Sequence, residues 1–448
     1  GFQSGCHGAA LRRAGMTPSP SRAKLRAPLG GCDCYLLALE DLMERSGQGR
    51  HVGVTVLEVG RGFEVERLRE AAARFAESQP ILGAKLQRGL PGAVPVWRGD
   101  QTAEVAVEIH PAGADWRGLA EERLQGQWPG RLRFDVCPAS EGFVVLMSWS
   151  HLLLDARGVE LVLAEVARLG EEVPAKPEVN SHALPFARHR SWWQEFRAVR
   201  PFLERYWSLR SERVVSLGGA PARAGRACFE AVRFSREETA AMKRRADPVT
   251  GGIFVLPWFL AVTMRAHAAV FRARGQESGS LECTISVQGR KRGARGPIFQ
   301  NQVSQLFFAR PLPDPASVED AARALHGQFA AMTRDKFDGA FLVMIDWMRR
   351  LPAPLYRRFL RREASGQLAS FYHAHTGEFL PGLRGFCGGA IVDGWHVPSV
   401  PQPPGTGLFF SEREGRLTAS LCWRDGVLSA DERALMLSAM RVDLLGTQ

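Results

Sequence analysis

A chain of 448 residues exceeds what one hydrophobic core organises, so about two or three domains are expected. Apolar residues make up 45% and charged residues 23%, the balance of a soluble globular protein, and no apolar run reaches the roughly 20 residues that a membrane-spanning helix needs. The net charge of +11 admits an acidic carrier protein, an anionic bilayer or a phosphate-bearing ligand; singly scattered arginines, and the lack of zinc-finger, RNP-like and helix-turn-helix patterns, argue against nucleic acid. Eight cysteines at this length do not make a disulfide framework, and Cys32-Asp33-Cys34 has the wrong spacing for a zinc site. Reduced, buried thiols in the cytoplasm are expected.

Residues 1–28 read as a loose basic tail, because Arg12, Arg13, Arg22 and Lys24 accompany no apolar segment of a secretory signal. A lead-in loop and helix follow over Leu29–Met43, then a strand over His51–Val59 and a helix over Glu64–Glu77 with Val65, Leu68, Ala72 and Phe75 on one face. Pro80–Leu86, Pro95–Trp97 and Glu104–Ile109 read as strands, Ala120–Gln127 as a short helix, and Arg131–Val136 and Gly142–Ser148 as strands. The last of these opens a strand, sharp turn and helix running from Phe143 to Leu169. Residues 171–186 are polar, Pro-bearing and aperiodic, which sets the principal boundary there: an N-terminal lobe over 29–175 and a C-terminal lobe over 187–448.

In the second half, Trp192–Leu209 reads as a helix, Cys228–Phe234 as a strand, and Ser235 as the N-cap of a further helix. Phe254–Phe271 is a buried core helix, since Arg265 and His267 interrupt its apolar run. Glu282–Val287 is a strand that runs into the basic, Gly-rich stretch Gln288–Pro297, followed by the apolar run Leu306–Ala309 and a helix over Val318–Met332. Trp347–Arg362 sets arginines beside Leu351, Leu355 and Leu360; it fits either an anionic bilayer surface or a charged covering helix, which Pro352 and Pro354 would interrupt. Strands over Gly389–Val392, Gly407–Ser411 and Leu417–Trp423 and a helix over Ser429–Leu445 close a mixed α/β chain in which each half is expected to build its own sheet.

Chemistry concentrates at His151 and Asp155. A histidine at the end of an inner strand has both a near-neutral pKa and reach into a cleft, as a general base requires. A buried structural histidine followed by a helix-capping Asp has the same spacing, and residue type alone leaves both readings open. No His-Glu-x-x-His motif and no Gly-x-Ser-x-Gly elbow is present, so neither a zinc site nor a serine hydrolase is expected.

Ser150-His151-Leu152-Leu153-Leu154-Asp155-Ala156 resembles the His-His-x-x-x-Asp-Gly signature of the chloramphenicol-acetyltransferase-like superfamily, which includes coenzyme-A-dependent acyltransferases, wax-ester synthases, polyketide-associated acyltransferases and condensation domains. Three further stretches follow in the family's order: the N-terminal segment Leu29–Tyr35 with Asp33, then Ile285–Arg290 with Gln300–Ser304, then Ser370–Gly377. The resemblance implies a two-lobed α/β fold with a tunnel at the lobe interface, and acyl transfer from a thioester to a hydroxyl or amine. The donor would be acyl-coenzyme A or a phosphopantetheine-linked acyl group on a carrier protein, with no resident cofactor or metal and a monomeric enzyme. It assigns His151 as the base, Asp155 as a structural residue paired with Arg290, and Ser150, Asn301 and Ser304 as channel-lining residues. Gln300 and His373 stand where the family has smaller residues and are expected in or beside the channel, with His375 as a second acid-base candidate. A carrier-dependent, amide-forming condensation enzyme and a non-catalytic scaffold are the alternatives.

Overall fold

Strand Val52–Gly60 is the axis of the larger sheet. Its Val52, Val54, Val56 and Leu57 are all buried, so both faces are covered and the polar–apolar alternation of a half-exposed strand is blurred. The computed structural model describes residues 25–90, 92–99, 103–171, 191–209, 213–219, 224–252, 255–291, 293–314, 316–362 and 369–446. The boundary expected over 171–186 and residues 1–24 of the expected tail lie outside the described residues, apart from Glu171. Leu25–Pro28 is not tail: it forms a strand on Val96–Gly99, which also pairs with Lys85–Gln87.

Six strands make the larger sheet, in the order Gly385–Phe386, Gly389–Pro398, Val52–Gly60, Gly142–Ser150, Leu132–Ala139 and Ala106–Ile109. Only the last pair is parallel. The first two strands come from the C-terminal half, which corrects the expectation of one sheet per half. The edge of Val52–Gly60 facing away from Gly142–Ser150 carries backbone groups that need partners, and Gly389–Pro398 supplies them, with Val397 opposite Val54. A second sheet orders Tyr372–Glu378, Thr406–Arg413, Arg416–Arg424 and Ala227–Arg233, and a ribbon pairs Gly279–Gln288 with Val303–Leu312.

One large apolar core lies in the N-terminal half and another in the C-terminal half. A smaller cluster joins Val54, Leu146 and Trp395 of the larger sheet to Phe229 and Cys422 of the second, so the two sheets are packed together. Helix Leu256–Ala273 is buried through Pro257–Met264 and packs on Val318–Arg334 and Ala430–Leu445. Among the described residues, no helix is long and apolar enough to cross a membrane. The seven described cysteines carry no disulfide, and all but Cys228 are buried.

Three local expectations change. Pro80–Leu82 is a turn of 3₁₀ helix, leaving a strand only at Lys85–Gln87, because Pro80 fixes its own φ and lacks an amide for a ladder. A helix over Phe337–Met348, which the sequence reading does not include, precedes Ala353–Arg362; the basic stretch from Trp347 thus breaks before Pro352, where a residue preceding proline is driven from helical geometry. Tyr372–Glu378, to which the sequence assigns no element, is a strand, and its His373 and His375 are held in the second sheet.

Candidate functional site

Strand Gly142–Ser150 ends where Val52 faces Ser150, and the chain then turns through His151 to Leu154 before helix Ala156–Gly170 begins. Asp155 is the N-cap of that helix, its Oδ1 accepting from the Gly158 amide at 2.7 Å. A Cβ at position 158 would stand 2.5 Å from the Ile298 carbonyl oxygen, so only glycine lets the loop of the second half approach this closely. That loop is stitched to the turn, the Gln300 amide donating to the Leu153 carbonyl at 2.9 Å.

Arg290 completes the turn. Its Nη1 donates to both oxygens of Asp155, at 2.8 and 2.7 Å, and the Gln302 amide donates to Asp155 Oδ2 at 2.8 Å. The remaining guanidinium groups bind the Pro297 carbonyl at 2.7 Å and reach those of Ile298 and Gln300. The side chains of Arg290 and Asp155 are 2% and 6% exposed, which makes the pair a sheltered one. All of the Asp155 bonding is directed at the turn, the helix cap and the loop.

Asn301 is the second junction. Its amide and Nδ2 donate to Asp33 Oδ1 at 2.9 and 3.0 Å, and the same Nδ2 donates to the His151 carbonyl at 3.0 Å. Asp33 lies in the first turn of Gly31–Arg45, where its Oδ2 accepts from the Gly30 amide. Burial raises the Asp33 pKa, against the pull of its hydrogen bonds to Asn301 and Gly30. Asn301 Oδ1 is sealed from solvent and has no partner among the described residues.

His151 is half-buried, while its Nδ1 is sealed and finds no partner on another described residue. Its ring stacks on His51, with centroids 4.6 Å apart and planes at 29°, and tilts against Trp149 at 5.2 Å. Its amide donates to the His51 carbonyl at 3.0 Å. Burial lowers the His151 pKa below the usual imidazole value, opposed by its own carbonyl and by Asp155. The ring is therefore neutral at pH 7, the state in which it can accept a proton.

The other expected site residues divide. Ser150 is buried at the strand end, directly before His151. Ser304 donates its hydroxyl to the Asp338 carbonyl at 2.7 Å, tying the ribbon to helix Phe337–Met348. Gln300 has φ 67°, the left-handed conformation that favours glycine, and its buried side chain donates to the Pro28 carbonyl at 2.8 Å. His373 is packed in the C-terminal core, its Nδ1 paired with Thr263 Oγ1 at 2.8 Å, and burial first, then His375, drives its pKa down to about 3. His375 stacks on Phe259 at 4.5 Å, and its pKa falls to about 4 through burial. The acid-base role weighed for His375 thus meets a ring already packed against Phe259. The structure gathers His151, Asp155, Arg290 and Asn301 and commits His373 and His375 to contacts within the C-terminal half.

Two groups escaped the sequence reading. His51 is far from His151 in sequence, and only the register of Val52 against Ser150 reveals their meeting. Glu108, His110 and Asp135 bring three donor groups together, yet Arg123 and Arg133 already bind both oxygens of Asp135. Asp135 pairs with Leu146 in the sheet, five positions before His151, so this cluster is an ion-pair network about 16 Å up the strand. An apolar cavity of about 240 Å³, lined by residues that include Leu37, Ala38, Leu90 and Tyr356, lies beside the first helix.

Comparison with solved structures finds the same overall fold in an acetyltransferase and in condensation domains. A trichothecene 15-O-acetyltransferase from Fusarium sporotrichioides superposes with a TM-score of 0.73 at 11% identity, covering 96% of this chain and 97% of that one. The condensation domain of the Monacolin K polyketide synthase MokA gives 0.64 at 12% identity, over 94% and 97%. Polyketide synthase associated protein 5 from Mycobacterium tuberculosis gives 0.59 at 12% identity, over 90% and 95%. No family model matches the sequence, and no curated protein matches it.

Proposed function

We propose that the chain is an acyltransferase that moves an acyl group from a thioester, on coenzyme A or a carrier protein, to a hydroxyl or amine. The observation that carries this reading is a neutral His151 whose turn is held by the Asp155–Arg290 pair and by Asn301. His151 removes the acceptor proton as the acceptor oxygen or nitrogen attacks the thioester carbonyl carbon. The tetrahedral adduct collapses, the carbon–sulfur bond breaks, and the imidazolium returns the proton to the departing thiolate. Asp155 holds geometry, since its oxygens bind Arg290, Gln302 and Gly158 while no bond to the ring is present. Ser150 and Asn301 would line the channel beside His151, in a tunnel between lobes at 29–175 and 187–448 with donor and acceptor arriving from opposite faces.

Thiol release from acyl-coenzyme A of graded chain length, with mixed alcohol and amine acceptors, tests the reading. Release should vanish in His151→Ala; release unchanged by that substitution would refute the assignment. A condensation enzyme is the second reading, favoured by the condensation domains among the similar structures, and it predicts turnover only when the acyl group rides on a carrier protein. A monomeric, cytoplasmic protein fits this proposal, as does peripheral contact through 347–362, where Leu351 and Leu355 are 36% and 50% exposed beside exposed Arg350 and Arg358. The side chains of Arg361 and Arg362 lie outside the described residues. Sedimentation with phosphatidylserine vesicles but not phosphatidylcholine vesicles, lost in Leu355→Asp, is the expected result.

A further inference from the structure

The second imidazole at the site has no role in the reaction as proposed. His51 precedes the central strand; the Glu40 carboxylate holds its amide at 3.1 Å, and its carbonyl accepts the His151 amide. Its ring lies flat against His151 and is itself 6% exposed, and its Nδ1 has no partner among the described residues. Two stacked imidazoles could share a proton, but the surroundings of His51 oppose that. The buried Arg424 guanidinium faces it from strand Arg416–Arg424, and His151 faces it from the turn. Both add to burial in holding the His51 pKa well below the ordinary imidazole value, against a weaker opposing contribution from the Ser399 backbone. Glu40, on the first helix, is itself desolvated, with its pKa raised to about 7, and is a poor counter-charge.

We propose that His51 is a positioning residue for His151: a neutral aromatic plate that fixes the plane of the base and keeps its Nδ1 turned away from solvent. The Ser148–Ser150 backbone and the Asn301 bond to its carbonyl fix where His151 starts, and the ring edge keeps polar contacts with its own carbonyl and with Asn301. Those contacts act at the edge of the ring and leave its plane to what it stacks on, the broad face being His51, with Trp149 tilted beside it. Burial of the His51 ring disfavours a second imidazolium beside His151, with Arg424 adding to that effect, so the proton collected by His151 stays available to the leaving thiolate. This inference rests on the general-base reading of His151.

The test compares His51→Ala, which removes the plate, with His51→Phe, which restores an aromatic face without a titrating group. Ring nitrogens of isotopically labelled histidine, with His151 assigned by its absence in His151→Gln, report tautomer and orientation without any substrate. The parent and His51→Phe should show one dominant His151 tautomer and His51→Ala a mixture. With acetyl-, octanoyl- and palmitoyl-coenzyme A as donors, kcat should fall about tenfold or more in His51→Ala with KM within about twofold, and recover in His51→Phe. Should His51→Ala fail to fold, His51→Gln makes the same comparison, since it has length and polarity but no ring face. An unchanged His151 tautomer in folded His51→Ala, or a His51→Phe enzyme as slow as His51→Ala, overturns the inference. Thiol release that survives His151→Ala overturns the general-base reading instead, and the nitrogen spectra still decide whether His51 orients the ring.

Discussion

Arg290 Nη1 touches both carboxylate oxygens of Asp155 across 135 residues of sequence, at 2.8 and 2.7 Å, and each partner is almost wholly sheltered. Breaking such a pair leaves a charge in a poorly solvating site, which costs far more than losing an exposed pair. Asp155→Ala and Arg290→Ala should each lower stability by about 3–5 kcal/mol, and the double variant by less than the sum. Denaturant titration measures this; single losses under about 1 kcal/mol would show that the pair is not what locks the turn.

Asn301→Asp sets a carboxylate against Asp33, which already lies near Asp155 and has its pKa raised by burial. It also removes the side-chain donor to the His151 carbonyl. A loss of about 2–4 kcal/mol at pH 7 is expected, shrinking as the pH falls and one of the two acids is protonated. A destabilisation that stays constant from pH 7 to pH 4 would contradict the contact.

At Gln300 two effects of similar size oppose each other. Its left-handed φ of 67° is strained for a residue with a Cβ, by about 1–2 kcal/mol, whereas its bond to the Pro28 carbonyl contributes about 1 kcal/mol. Glycine relieves the first but loses the second and adds freedom to the unfolded chain, so Gln300→Gly should fall within about 1 kcal/mol of the parent. Gln300→Val, β-branched and unable to make the bond, should be destabilised by more than about 2 kcal/mol. Equal stabilities for the two variants would count against the observed backbone.

Acid sensitivity should come from buried histidines. His267 and His375 are held at about 4 and His373 at about 3, while an unfolded histidine titrates near 6.5. Below about pH 6.5 the unfolded chain binds more protons than the folded one, so stability rises with pH and is lost as the pH drops from about 6.5 toward 4. His373→Phe should flatten that slope in melting curves recorded against pH. Activity should follow a different group: the acid limb of kcat/KM belongs to His151 and should lie below the ordinary imidazole pKa. A limb that moves with His373→Phe and not with His51→Ala would place the wrong histidine at the base.

Local features of the chain were legible because they depend on neighbours in sequence. The strand, turn and helix around His151, the Ser235–Glu238 capping box and the buried helix at Leu256–Ala273 follow from periodicity and cap chemistry. The similarity of the Ser150–Ala156, Ile285–Arg290 and Gln300–Ser304 stretches to one superfamily carried the fold and the pairing of Asp155 with Arg290, which spacing alone could not supply. What stayed hidden needed the third dimension. His51 meets His151 through a strand register, Asp33 meets Asn301 through the seating of the first helix on the ribbon, and Gly389–Pro398 crosses to the other half because an open strand edge demands backbone partners. His373 pairs with Thr263 and His375 stacks on Phe259, contacts that only the packing of the second sheet on its helix brings about. The sequence by itself thus determined that a histidine and an aspartate would flank a sharp turn. Tertiary structure decided which distant groups surround them, because burial, register and charge compensation are properties of chain segments brought together and not of either segment alone.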